Sequence, residues 1–405
     1  MPESRDQQVA LNSCKTNNRF ILIGMILLIV FMTAGESAAL RTITDSRGRS
    51  VSLPERIERV ATVSDGFVEG VMTVFGVEEK LVGLGSLSLQ KVWSYQFPGE
   101  NGEDFAFTKG MNPVRALNPW FADLPLFANG PAINYETLAG LRPDLVILRL
   151  GSCNLPAGND QVEMSLNTLR NMEIPVIVLQ GPHFSGHFNP AAIAEEIRIL
   201  GKVFQMPEKA EFLIDFIQAP VDLISTRTRE ISESEKPRIL VLGLSPSARR
   251  KGAAGQVFGI NTIESYFIEN VVHAKNAFQE PGHFKLVSTE HLLALDPDVI
   301  LLCTAAGYHP PRELYEAPYY KHLRKLSAVR QKRVFSLPWT PWNCEKRLEY
   351  PIEVMVMAKA AYPELFADID LGKWLIDFYQ GLYGVDEDTA EEIRSAQWMD
   401  WTEAG

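Results

Sequence analysis

The sequence predicts an α/β protein made of two similar lobes, and three observations carry that expectation. First, residues 136–148 read ETLAGLRPDLVIL and residues 290–302 read EHLLALDPDVILL. The pattern E-x-L-x-x-L-x-P-D plus an apolar run therefore occurs twice, 154 residues apart, from 136 to 290. Stacked repeats recur every 20–50 residues or so, so this doubling reads as two half-chains rather than an array. Second, apolar strand-like runs alternate with helical patterns in both halves, as a mostly parallel sheet with helices on both faces requires. Third, a helical stretch separates the halves.

In chain order, residues 1–39 read as a signal peptide. Lys15 and Arg19 precede the apolar run FILIGMILLIVFMT, and small residues (Ala34, Gly35, Ser37, Ala38, Ala39) follow it. The run is shorter than the roughly 20 residues of a spanning helix; an uncleaved membrane tether is the alternative. Cys14 precedes the run, which argues against a lipid anchor there.

The first lobe is expected over 40–190. RTITDSRGRSVSLP reads as a hairpin turning at Ser46-Arg47-Gly48. ERVATV, KLVGLG, the repeated run and Ile174–Leu179 read as strands, with helices at Gly66–Phe75 and Gln161–Met172. The segment 191–236 reads as a helical connector. Pro207 suits a helix start, and Pro220 is expected to kink the helix it begins. The second lobe, 237–405, repeats the plan. It has a strand at 238–244, a helix near 260–270, the second motif copy, a strand at Arg333–Leu337 and a helical C-terminus.

The chain has 405 residues, 46% of them hydrophobic and 22% charged, enough for two buried cores. Its net charge of −11 speaks against nucleic-acid binding. Past the leader stand Cys153, Cys303 and Cys344. Cys303 with Cys344 is one pairing, leaving Cys153 odd; connectivity stays open, and buried free thiols are an equal alternative.

An exported chain that opens TDSRGRSVSLP, continues through ERVATV, KLVGLG and the doubled motif, and closes with RVFSLP and AKAAYPELF resembles the class III periplasmic substrate-binding proteins. These are the receptors of ABC importers for ferric siderophores, cobalamin, haem and some metals. The resemblance covers about residues 41–384 and implies two Rossmann-like lobes joined by one long helix, with the ligand in the cleft between them. It also implies a periplasmic monomer that docks on a membrane permease dimer through one surface Glu per lobe. By motif position these are Glu136 and Glu290. Helix capping is the competing explanation, because Asn134 and Ser288 stand two residues earlier, where cap residues sit.

Ligands of parallel α/β sheets bind beyond the carboxyl ends of strands. The loops expected there are rich in aromatic and cationic residues. Trp93, Lys109, Arg115 and Trp120 come from lobe one, and Arg249, Tyr308, Trp339 and Trp342 from lobe two. In an acidic protein this set suggests an anionic, partly apolar ligand such as a ferric siderophore-like iron chelate. Haem, cobalamin or a free metal ion is the alternative, the last with His183, His187 and His309 as ligands. A different class, an exported α/β enzyme, lacks support: G-x-S-x-G, H-E-x-x-H and G-x-x-x-x-G-K-[ST] are all absent from the sequence.

Overall fold

A computed structural model describes residues 40–156, 158, 160–184, 188–303 and 311–404. Residues 1–39, read from the sequence as a signal peptide, lie outside the described residues, as do His187, Tyr308 and His309. The first strands, β1 (Leu40–Thr44) and β2 (Ser50–Pro54), form a two-stranded sheet. The turn between them is closed by the Asp45 carboxylate, which accepts the Arg47 and Arg49 amides, while Gly48 takes φ 72°.

Lobe one is organised on a parallel sheet. Its chain runs β3 (Val60–Val63), α1 (Phe67–Phe75), β4 (Leu81–Leu84), then a hairpin of β5 (Trp93–Pro98) and β6 (Asp104–Gly110). It continues through α2 (Tyr135–Leu141), β7 (Leu145–Leu150), α3 (Asp160–Asn171) and β8 (Val176–Gln180). The strand order is β8-β7-β3-β4. Every residue of β3 and β7 is buried, as covering both faces of a parallel sheet demands.

Two helices follow, α4 (Ala191–Val203) and the 22-residue α5 (Pro207–Thr228). Helix α5 starts on Pro207, whose missing N–H is harmless in a first turn, and runs on through Pro220 rather than ending there. One stripe of it (Ala210, Leu213, Ile214, Ile217, Val221, Ile224) is buried in a core that contains residues of both lobes.

Lobe two holds β9 (Arg238–Gly243), β10 (Gly255–Val257), β11 (Lys275–Asn276), β12 (Lys285–Val287), α6 (Thr289–Leu295), β13 (Val299–Leu302), α7 (Pro311–Glu316) and β14 (Val334–Ser336). The order is β12-β10-β9-β13-β14, with β11 also on β9. Strands β9, β13 and β14 are parallel, while β10 and β12 run antiparallel. Helices α8 (Tyr350–Ala361), α9 (Leu371–Tyr383) and α10 (Glu387–Ala396) complete the chain. Helix α8 is buried along nearly its whole length, which explains its apolar run VMVMA.

The doubled motif has a physical reason in both copies. Asn134 caps α2 by accepting the Thr137 amide, and Ser288 caps α6 by accepting the His291 amide. Both helices end on a left-handed residue, Arg142 and Asp296. The motif Asp then accepts the amides that open the neighbouring strand: Asp144 takes Glu58 and Arg59, and Asp298 takes Arg238. Glu136 and Glu290 are exposed.

The hairpin β5–β6 belongs to lobe one by sequence but packs on lobe two. Phe97 is buried in the cluster of Leu240, Leu242 and Ile300. Arg324 pairs with Glu100 at 2.7 Å, and the Arg312 guanidinium lies 4.1 Å over the Phe105 ring.

Candidate ligand cleft

The carboxyl ends of lobe one's strands are occupied by the protein's own chain. Residues 344–349, which follow β14, carry Glu345, Lys346, Arg347 and Glu349, all buried. The Glu345 side chain rests on two glycines at the ends of β7 and β8. A Cβ on Gly151 or Gly181 would come within 2.5 and 2.8 Å of it, and Gly151 also needs φ 93°. The same carboxylate accepts the His183 amide at 3.0 Å. Burial pushes its pKa up to about 7 against the pull of Arg149. Arg149 is itself buried, in a bidentate pair with Glu196 at 2.8 Å, and donates to the Lys346 carbonyl at 2.9 Å.

Beside this plug, Asp65 organises the loop after β7. It accepts the Cys153 amide at 2.8 Å, the Ser86 hydroxyl at 3.1 Å and the Asn154 side chain. The loop thereby presents Cys153 to Cys344, and the two form a disulfide with Cα atoms 5.3 Å apart. This corrects the Cys303–Cys344 pairing considered above. Cys303 is buried and takes no part in that disulfide, and the partner of Cys344 comes from the other lobe.

Next to the disulfide a cavity of about 550 Å³ opens between the lobes. Its wall is dominated by Trp93, Trp339, Trp342 and Trp398. Trp339 stands between two indoles, with ring centroids 4.4 Å from Trp398 and 5.9 Å from Trp93. Trp398 donates to the Thr108 carbonyl at 2.8 Å, so the hairpin and the C-terminus hold each other in the wall. Trp342 takes φ 52° and is 38% exposed, offering an indole to an incoming molecule.

The polar lining comes from both lobes. His183, after β8, reaches the Asn261 carbonyl at 3.3 Å. His283 stacks on Phe284 at 4.0 Å; burial lowers its pKa, with Glu264 opposing and His183 adding to the effect. Lys346 pairs with Glu264 at 3.0 Å and Glu353 at 2.6 Å. Burial disfavours its charge, but the two carboxylates win and hold it protonated. Among the described residues, no group of three or more His, Cys, Asp or Glu is arranged to hold a metal ion.

Of the residues expected from sequence, Trp93, Trp339, Trp342 and His183 line this cavity. Lys109, Arg115 and Trp120 do not. Lys109 points from an exposed position on β6, and Trp120 lies edge-on against Phe121 at 4.7 Å. Arg249 sits behind the wall, bonded to Tyr320 at 2.7 Å and to Glu313 at 3.3 Å, while Tyr95 donates to Glu313 from the cavity side. Glu264, His283, Lys346 and Trp398 line the cavity without having been expected. They lie on the antiparallel side of lobe two, on the buried plug and at the C-terminus, where the strand-end rule has no reach.

The sequence model of the periplasmic binding protein family matches residues 103–340. The chain belongs to that family. A curated relative, the molybdate-binding protein MolA of Haemophilus influenzae, is 23% identical over 367 residues, covering 85% of this chain and 91% of its own length. A periplasmic solute-binding protein from Veillonella parvula superposes with TM-score 0.70 at 23% identity, covering 90% of this chain and 99% of that one. Helicobacter pylori CeuE with Ni(II) bound gives 0.58 at 17% identity, covering 87% and 98%. These structures share the two-lobed fold. Among the described residues, no helix of this periplasmic binding protein is long and apolar enough to cross a membrane.

Proposed function

We propose that this protein captures a small metal chelate and delivers it to an importer's permease dimer, docking through Glu136 and Glu290. The observation that carries the ligand reading is an indole-walled cavity of about 550 Å³ with one histidine from each lobe. Indole faces supply apolar area for the organic frame of a chelate. Imidazole nitrogens suit the open positions of its metal. A ferric siderophore-like complex fits this description. Its grip differs from the cation-rich one expected from sequence, because Lys109, Arg115 and Arg249 are not in the lining and Lys346 is already neutralised by two carboxylates. A small tetrahedral oxyanion, the ligand named for the H. influenzae relative, would leave most of the cavity unfilled and find no unpaired cation in its described lining.

The test is a metal analysis and absorption spectrum of the protein as purified. Tryptophan-quenching titrations with ferric catecholate and hydroxamate chelates, Ni(II)–histidine and molybdate follow. Chelates are expected to bind, and Trp339→Ala and His183→Ala to weaken them by roughly ten- to hundredfold. Tight molybdate binding that ignores Trp339→Ala would refute the reading. For docking, Glu136→Arg with Glu290→Arg should abolish uptake while chelate affinity stays within a few-fold; a collapse of affinity would place these residues in the fold or site instead.

A further inference from the structure

The cavity's floor is covalent. Cys153 and Cys344 both line it, one from each lobe, and they are 191 residues apart in sequence. Apolar packing joins the lobes elsewhere, along α5 and at the β5–β6 hairpin. Around the disulfide they also meet through polar ties: the Arg149 bond to the Lys346 carbonyl, the Glu345 bond from the His183 amide and the His183–Asn261 contact. Groups of that kind exchange their partners for water when packed surfaces separate. Burial also works against them, since Glu345 and Glu196 are both driven toward protonation by loss of solvent.

We propose that the Cys153–Cys344 bond is a redox lock on the cleft. In the oxidised protein the two lobes are held in the register that forms the indole-walled cavity before any ligand arrives. A small dithiol reductant attacks the cystine through a mixed disulfide, leaving two protein thiols and the dithiol as its own disulfide, so that two electrons and two protons pass from dithiol to protein. Reduction frees the Cys153 loop and the plug 344–349 from each other and lets the cavity floor open, while each sheet stays folded. The receptor is thus preformed in an oxidising compartment and loosened by reductants. Asp65 accepts two bonds from the loop that carries Cys153, one from the Cys153 amide and one from the Asn154 side chain.

Hydrogen exchange read by mass spectrometry tests this on the full chain without its leader, oxidised and after treatment with a dithiol reductant. Exchange in 150–156 and 341–349 should rise by roughly tenfold or more on reduction, with β3, β7, β9 and β13 still protected. Tryptophan emission should shift to the red as Trp339 and Trp398 meet water. The Cys153→Ser/Cys344→Ser double variant should match the reduced protein. Unchanged exchange in both segments overturns the proposal. So does loss of protection throughout both sheets, which would make the bond a support of the whole fold. If the double variant does not fold, the reduced wild-type chain decides by the same two readings.

Discussion

The two copies of the repeated motif agree on the outside of the molecule and diverge at its centre. In both lobes the helix carrying Glu136 or Glu290 begins on a side-chain cap, ends on a left-handed residue and leads to an Asp that pins the start of the neighbouring strand. At the strand ends the lobes part company. Lobe one fills that position with a buried charged segment from lobe two, whereas lobe two supplies most of the cavity wall. A duplicated frame can thus keep equivalent outer surfaces while one half builds most of the pocket. The outer likeness is local and short-range. The inner difference needs contacts between residues far apart in sequence.

The largest test of that difference strikes the plug. Arg149→Leu leaves Glu196 buried without its partner and removes the donor to the Lys346 carbonyl. We expect a loss of about 3–5 kcal/mol, read from urea unfolding. A loss under about 1 kcal/mol would show that the plug is not held by this pair.

Acidity gives the next largest effect. Glu345 in the plug and Glu313 under the hairpin are each pushed up to about 7 by burial, against an ordinary value of 4.5. Raised carboxyl values favour the fold while the group is protonated. Stability should therefore be greatest near pH 4.5, decline as pH rises toward 7 and level off above it. Each group contributes up to roughly 3 kcal/mol. Glu345→Gln and Glu313→Gln should each flatten that slope, and unfolding midpoints measured across this range decide it.

The motif aspartates offer a smaller and sharper comparison. Asp144 accepts two backbone amides and Asp298 one. Asp144→Ala should cost about 1–2 kcal/mol and Asp298→Ala about half of that by thermal unfolding. Equal losses would mean that the second amide bond adds nothing. Smallest of all, Glu136→Ala and Glu290→Ala should each change stability by less than about 0.5 kcal/mol. A larger loss would make them structural, and their placement on a docking surface would lose its basis.

Local features were legible in the sequence. The caps Asn134 and Ser288, the strand ETLAGLRPDLVIL leads into and the helix begun by Pro207 follow from spacing, while the exposed glutamates follow from the family resemblance. The cavity was legible in part. Trp93, Trp339 and Trp342 follow strands or open one, so the strand-end argument found them. Trp398 reaches the site only because the C-terminal turn packs on the hairpin. Lys109 and Arg115 failed as lining residues because strand pairing and a short helix aim them elsewhere. Cys153 and Cys344 pair through space, across 191 residues, and no spacing rule reaches that far.

The hairpin β5–β6 makes the lobes unequal partners in synthesis as well. Tyr95, Phe97, Phe105 and Phe107 are made early, yet the apolar surface that covers them belongs to residues 240–329. Until that later portion emerges, the nascent first half carries an uncovered aromatic face prone to self-association. A fragment ending at the connector should therefore aggregate where the whole chain stays soluble. In effect, the protein exchanges a segment with itself, and each half can finish folding only in the presence of the other.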